Sequence, residues 1–178
     1  MSHSPKSTER KTLFKGRILS LHLDKIKLPD GSVAKREVIE HGGGVAILAI
    51  YEGDVLMVRQ YRHPAGQHLL ELPAGKLEKG EDPDRCAIRE LEEETGYRPQ
   101  SVTKLGCFYP TPGYVSEILH LYLADGLVPT KQNLDPGEFL DVVTMPLEDA
   151  LTACFDGRIV DAKTALALLM YKQKGLAL

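Results

Sequence analysis

Cysteine is scarce in this chain: three in 178 residues, Cys86, Cys107 and Cys154, with no CxxC pair. An odd, sparse count fits reduced thiols in a cytoplasmic protein better than a disulfide framework. Each thiol is expected to be structural. Long apolar runs are also missing. The longest, Val45 to Tyr51, falls well short of the roughly 20 residues needed to cross a bilayer. The opening MSHSPKSTERK has no apolar segment of the signal-peptide kind, so residues 1–11 are expected to be a mobile polar tail. Positive charge is not in excess. A net charge of −3 and a pI near 6.1 argue against a general nucleic-acid binder, whose surface is normally basic. Neither nucleic acid nor membrane is an expected partner. No internal repeat or low-complexity tract is visible.

What is present is enough for one domain with a small appendage. With 43% hydrophobic residues the chain can bury a real core. The most informative stretch is Gly75 to Tyr97, GKLEKGEDPDRCAIRELEEETGY. Asp82 is a good N-cap and Pro83 suits the first helical position, which predicts a helix from Pro83 to about Thr95. Gly96 is placed to end it in a left-handed conformation. Glu90 and Glu94, four apart, share one helical face with Glu93 beside them, while Glu92 points elsewhere. Clustered carboxylates need a compensating cation. Arg89 is one candidate, and a divalent metal with oxygen ligands is the other. A solvated acidic helix is the bland alternative. It explains none of the fixed offsets of Gly75, Glu81, Arg89 and Gly96.

These residues carry a resemblance. Gly75-x5-Glu81-x7-Arg89-Glu90-Leu91-x-Glu93-Glu94-x-Gly96-Tyr97 is similar to the Nudix box at every charged and glycine position, with Tyr97 in a slot that is usually aliphatic. The resemblance implies an α+β fold, an α/β/α sandwich with a mixed central sheet. It implies a hydrolase that uses metal-activated water to cleave a diphosphate linked to another moiety. The metal set implied is Glu90, Glu94 and the carbonyl of Ala74, with Mg²⁺ as the cofactor and Mn²⁺ as a substitute. Glu93 and Glu94 take catalytic roles. Gly75, Glu81, Arg89 and Gly96 form the scaffold of the box.

Around the box, the chain reads as follows. Arg17–Leu28 and Val33–Glu40 alternate in hydrophobicity about the turn Pro29-Asp30-Gly31, predicting a small antiparallel meander over residues 12–43. Residues 44–178 are the expected hydrolase domain. His41-Gly42-Gly43-Gly44 suggests a phosphate loop, but a strand follows it where such a loop needs a helix. Val45–Tyr51 and Val55–Tyr61 form a core hairpin, and Leu69–Gly75 is a strand running into the box. Glu71 there is either an acid behind the site or an exposed strand residue. His63 and His68 lack partners at ligand spacing. After the box, Ser101–Phe108, Ser116–Ala124 and Asp141–Met145 are expected strands. Val128–Leu140 is an expected loop, and Leu147–Phe155 and Asp161–Lys174 are expected helices.

Two further segments resemble members of the family that act on ADP-ribose. VRQYRHP places Arg62 on the substrate diphosphate, the alternative being a surface salt bridge. FYPTPGYVSE, with Pro112 sixteen residues after Gly96, is the substrate indicator, and it places Glu117 near the terminal sugar or its phosphate. In those relatives a similar meander helps build a homodimer and contributes to the partner's substrate pocket. Arg36 and Glu37 match charged positions there, or are simply an exposed strand face. Related enzymes carry acids in the loop after residue 128. Here Glu138 fits one such position, but Pro136 stands where an acid often sits. The general base is therefore Glu138, Asp135 or Glu93. The expected reaction is hydrolysis of ADP-ribose to AMP and ribose 5-phosphate. The alternatives are another nucleoside diphosphate sugar such as GDP-mannose, a dinucleotide or flavin substrate, or a Nudix-like module that binds ligand without turnover.

Overall fold

The computed structural model describes residues 6–175. The chain divides into two compact units. One comprises the chain up to Gly43 together with Tyr109–Ile118, and the other comprises Gly44–Phe108 and the chain from Leu119 onward.

The first unit is an antiparallel sheet of three strands in the order β1 (Lys6–Lys15), β2 (Leu19–Lys27) and β3 (Val33–His41). β1 corrects the expected polar tail: residues 6–11 are strand, and residues 1–5 of that tail lie outside the described residues. Its alternation is carried by charge, not by apolar side chains. Arg10 grips Asp24 with two hydrogen bonds of 2.8 Å, and Lys25 donates to Glu9 at 2.7 Å. Cross-strand pairs of opposite charge stabilise a sheet much as apolar pairs do. Residues 109–118 join this unit through β3: Ile39 N–H donates to Tyr114 O at 2.7 Å and Ser116 N–H donates to Ile39 O at 2.9 Å. The strand expected from Ser116 therefore begins only at Leu119.

The second unit is built on a seven-stranded mixed sheet. Its strands are β4 (Gly44–Tyr51), β5 (Asp54–Arg62), β6 (Gln67–Glu71), β7 (Ala74–Lys76), β9 (Ser101–Phe108), β10 (Leu119–Asp125) and β12 (Leu140–Pro146). The order is β12-β5-β4-β10-β9, with β6 on β5 and β7 on β4. Only β4 and β10 run parallel. Two-residue strands β8 (Tyr97–Arg98) and β11 (Val128–Pro129) pair with each other, so the expected loop after residue 128 begins with a strand. The expected strand into the box is broken between β6 and β7. Pro73 lies in that break; it has no N–H for a ladder, and its carbonyl accepts from Ile47 N–H at 2.9 Å.

Helix α1 (Pro83–Thr95) covers one face of this sheet, and α2 (Leu147–Asp156) and α3 (Ala162–Gln173) cover the other. Val45, Ile47 and Ala49 of β4 pack with Cys86, Ala87 and Leu91 of α1. Ala46 and Leu48 pack with Ala150, Leu151 and Ala153 of α2 and Ala167, Leu168 and Tyr171 of α3. Covering both faces is why β4 reads as an unbroken apolar run. This is the α/β/α arrangement with a mixed sheet. Among the described residues no helix is long and apolar enough to cross a membrane.

Candidate active site

Helix α1 starts and stops where local chemistry requires. The Asp82 side chain accepts from the N–H groups of Asp84 and Arg85 at 2.9 and 3.3 Å, Pro83 follows it, and Gly96 adopts φ 74°. Three carbonyls at the end of the helix, left without partners inside it, are met by the chain after β11. Thr130 N–H donates to Gly96 O at 2.7 Å, Asn133 N–H to Glu93 O at 2.9 Å, and Gln132 Nε2 to Glu94 O at 2.7 Å. These bonds pin the start of the loop that carries Glu138.

Arg89 is the hub of the box. Its Nε and Nη2 donate to the two oxygens of Glu81, each at 2.9 Å, and its Nη1 donates to Glu90 Oε1 and Glu93 Oε2, each at 2.9 Å. The Arg89 fork holds the Glu81 carboxyl down at about 2. Glu81 also accepts from Glu78 N–H at 2.9 Å, which closes the loop before the helix. Glu92 turns away and pairs with Arg98.

Glu90 lies directly over Gly75. A Cβ on Gly75 would stand 1.8 Å from the Glu90 carboxyl carbon, so the glycine is required for close approach and not for turn geometry. Burial pushes the Glu90 carboxyl up to about 6. Glu94 is only 2% exposed, and burial pushes it further, to about 8. It accepts from Ala74 N–H at 2.9 Å. Glu90 and Glu138 add like-charge repulsion at Glu94.

Arg89 neutralises Glu81, Glu90 and Glu93, but it does not reach Glu94. Among the described residues no three ligating side chains already converge into a cage. The donor set nevertheless suits a hard divalent cation: oxygen ligands, two of them carboxylates raised by desolvation, which a cation would favour in ionised form. Nudix enzymes generally need such a metal.

Glu138 is delivered by a type II turn. Pro136 and Gly137 occupy its centre, Gly137 has φ 87°, and Glu138 N–H donates back to Asp135 O at 2.9 Å. The Glu138 charge is felt by both Glu90 and Glu94. Asp135 is exposed.

Arg62, expected on the substrate or in a surface salt bridge, is in a salt bridge whose acid is buried. Its Nε and Nη2 donate to the two oxygens of Glu71 at 2.6 and 2.8 Å, and Glu71 is 1% exposed. Glu71 is thus a buried acid behind the site. Burial pushes its carboxyl up, yet Arg62 and Lys163 together hold it below the usual carboxylate range. Glu71 above all, and Glu94 to a lesser degree, raise the pKa of Arg62, so the guanidinium lies within the field of the acidic cluster.

Lys163 escaped sequence reasoning because it is 92 residues from its partner Glu71. The one local signal was a cation in the first turn of a helix, where the macrodipole disfavours it. Beside the site, the outer face of α1 borders a cavity of about 550 Å³ lined by Arg85, Arg89, Glu93, Arg98 and Lys131, among others.

Three expected substrate residues belong to the other unit. Arg36 is exposed on β3, and its side chain donates to Lys35 O at 2.9 Å; Glu37 is exposed beside it. Pro112 lines a cavity of about 410 Å³ with Tyr109 and Tyr114. Glu117 Oε1 lies 3.6 Å from His41 Nδ1.

Comparison with known proteins fits this geometry. Residues 40–167 match the NUDIX domain family, and residues 6–39 match the nucleoside diphosphate sugar hydrolase N-terminal domain. The chain is 45% identical over 171 residues to the ADP-ribose pyrophosphatase of Bacillus subtilis, covering 92% of each chain. It is also 45% identical over 167 residues to the methanol dehydrogenase activator of Bacillus methanolicus, covering 92% of this chain and 90% of that one. A crystal structure of an ADP compounds hydrolase shares the fold, with a TM-score of 0.85 at 24% identity over 96% of this chain and 95% of that one. With its box complete and its acids gathered on one helix, this chain belongs to the Nudix family and is a Nudix hydrolase.

Proposed function

We propose that this hydrolase cleaves the diphosphate bond of ADP-ribose, giving AMP and ribose 5-phosphate, with Mg²⁺ as its working metal and Mn²⁺ as a substitute. The observation that carries the chemistry is the half-buried Glu90 over Gly75 beside the buried Glu94, both acted on by the charge of Glu138. The likeness to the Bacillus subtilis ADP-ribose pyrophosphatase supports the substrate, and the match of residues 6–39 supports the broader class of nucleoside diphosphate sugars.

Glu90, Glu94 and the Ala74 carbonyl would hold the metal, with Glu93 beside them. A divalent cation supplies neutralisation of diphosphate charge and a lowered pKa for an attacking water. Arg62 meets charge that the metal leaves, its fork held flat by Glu71. Glu138 takes the proton from water, in preference to Asp135 or Glu93. The support is that the charge of Glu138 acts on both Glu90 and Glu94 and that the turn bond from its N–H to Asp135 O holds it beside them. The resemblance of their segments supports Arg36, Pro112 and Glu117 as substrate residues. The protein acts in the cytoplasm as a homodimer. Three free thiols support the compartment, and exposed Leu13, Phe14, Ile18 and Val33 on the first unit support the dimer.

The test is a phosphate-release assay coupled to alkaline phosphatase, with Mg²⁺ and then Mn²⁺, across ADP-ribose, GDP-mannose, UDP-glucose, NADH and FAD. Preference for ADP-ribose is expected. Preference for another sugar nucleotide would keep the box chemistry and discard Pro112 as a substrate marker. Silence throughout would favour a ligand-binding module. A second reading follows from the Bacillus methanolicus relative, named as an activator of a dehydrogenase: this chain stimulates a dehydrogenase. Turnover of ADP-ribose with no second protein present, and no change in a dehydrogenase on mixing, would remove it.

A further inference from the structure

Lys163 stands in the first turn of α3, where a cation opposes the helix dipole. Its side chain is mostly buried and hydrogen-bonds to Glu71 Oε2, with Asp161 Oδ1 2.9 Å away on the other side. Glu71 does not need it for hydrogen bonding, since the Arg62 fork already serves both oxygens. Nor does α3 need it for docking: Thr164 Oγ1 accepts from Leu72 N–H at 2.9 Å, and the Asp161 carboxylate caps the helix. Lys163 helps keep the buried Glu71 ionised, and because Glu71 in turn grips Arg62, that effect reaches beyond α3. The charges alternate through successive contacts, Asp161 to Lys163 to Glu71 to Arg62, and Glu94 adds its negative charge to the field at Arg62.

We infer that Lys163 is a positioning residue for catalysis: through Glu71 it fixes the guanidinium of Arg62 against the substrate diphosphate. The inference rests on the hydrolase reading and on Arg62 meeting that diphosphate. Without Lys163, Glu71 keeps one cationic partner, and the Arg62–Glu71 pair can rotate as a unit. The rest of the guanidinium, Nη1, then loses its fixed aim while the fold keeps its Thr164 anchor.

The test is a double-mutant cycle on the full chain with ADP-ribose and Mg²⁺. Lys163→Met is expected to lower kcat/KM about tenfold, within the range found for members of one ionic network. Lys163→Arg should restore most of it. In an Arg62→Ala background, Lys163→Met should change kcat/KM by less than about twofold, because the residue it acts through is gone. A drop of the same size in both backgrounds would overturn the inference, as would wild-type kcat/KM in Lys163→Met. If Lys163→Met fails to fold, Lys163→Gln enters the same cycle with the same outcomes. A wild-type enzyme silent on every nucleoside diphosphate would instead sink the hydrolase reading, and this inference with it. That result is distinct from an active enzyme without coupling.

Discussion

A methyl group at Gly75 would meet the Glu90 carboxyl carbon at 1.8 Å, so Gly75→Ala must displace Glu90 or the strand beneath it. Misplacing a reacting group by an ångström can cost about a hundredfold in rate, and steady-state kinetics on Gly75→Ala should show a loss of that order. Glu94→Gln keeps an acceptor for Ala74 N–H but removes the charge. Its kcat should fall by about two to four orders of magnitude, with the circular dichroism spectrum unchanged; near-normal turnover would refute the assignment of Glu94. The same carboxyl makes a pH prediction. Its folded pKa, about 8, lies above the ordinary 4.5, so the metal-free fold holds this proton more tightly than the unfolded chain does. That stability is complete below pH 4.5 and is lost as pH rises toward 8. Metal-free wild type should therefore lose melting temperature between pH 5 and pH 8 relative to Glu94→Gln. Added Mg²⁺ should reverse the loss most strongly at the alkaline end, where it no longer competes with a proton. A parallel decline in both proteins would contradict the burial argument. Every member of the box was legible in the sequence because its spacing is local. Lys163 and the buried state of Glu71 were not, because they depend on contacts made across most of the chain.

Elements whose ends are written in capping chemistry were read correctly. Helix α1 runs from Pro83 to Thr95 as Asp82 and Gly96 require. Elements held by partners were read less well. β1 has little apolar alternation and is strand because Glu9 and Arg10 find Lys25 and Asp24. β8 and β11 are each two residues long and exist only as a pair. The turn that delivers Glu138 is legible in part: the Asp135-Pro136-Gly137-Glu138 string shows its acids in the sequence, while its backbone supplies the geometry. Gly137 at φ 87° disfavours any side chain there by about 1–2 kcal/mol. Gly137→Ala should open this exposed turn without touching the core. We expect kcat to fall about tenfold, the scale of a 1.4 kcal/mol change, with the melting temperature unchanged. A Gly137→Ala enzyme at full rate would remove Glu138 as the base.

At the scale of the whole molecule, the first unit leaves Leu13, Phe14, Ile18 and Val33 in solvent, more apolar surface than a small sheet gains from exposing. Sedimentation should find a species of twice 19.7 kDa, and Phe14→Glu should shift it to the monomer and lower activity. A wild-type chain that sediments as a monomer at micromolar concentration would end the dimer proposal. The parallel pairing of β4 with β10 has a further consequence during synthesis. One edge of β4 is satisfied early, by β5 and then β7, but the other waits for Leu119–Ala124. At about 5–20 residues per second on the ribosome, Val45 to Ala49 spends several seconds as an open apolar edge in the growing chain. The strand at the centre of the finished enzyme is thus its most adhesive part before completion. Its yield in cells should depend on how quickly translation reaches β10 and on what shields that edge until then.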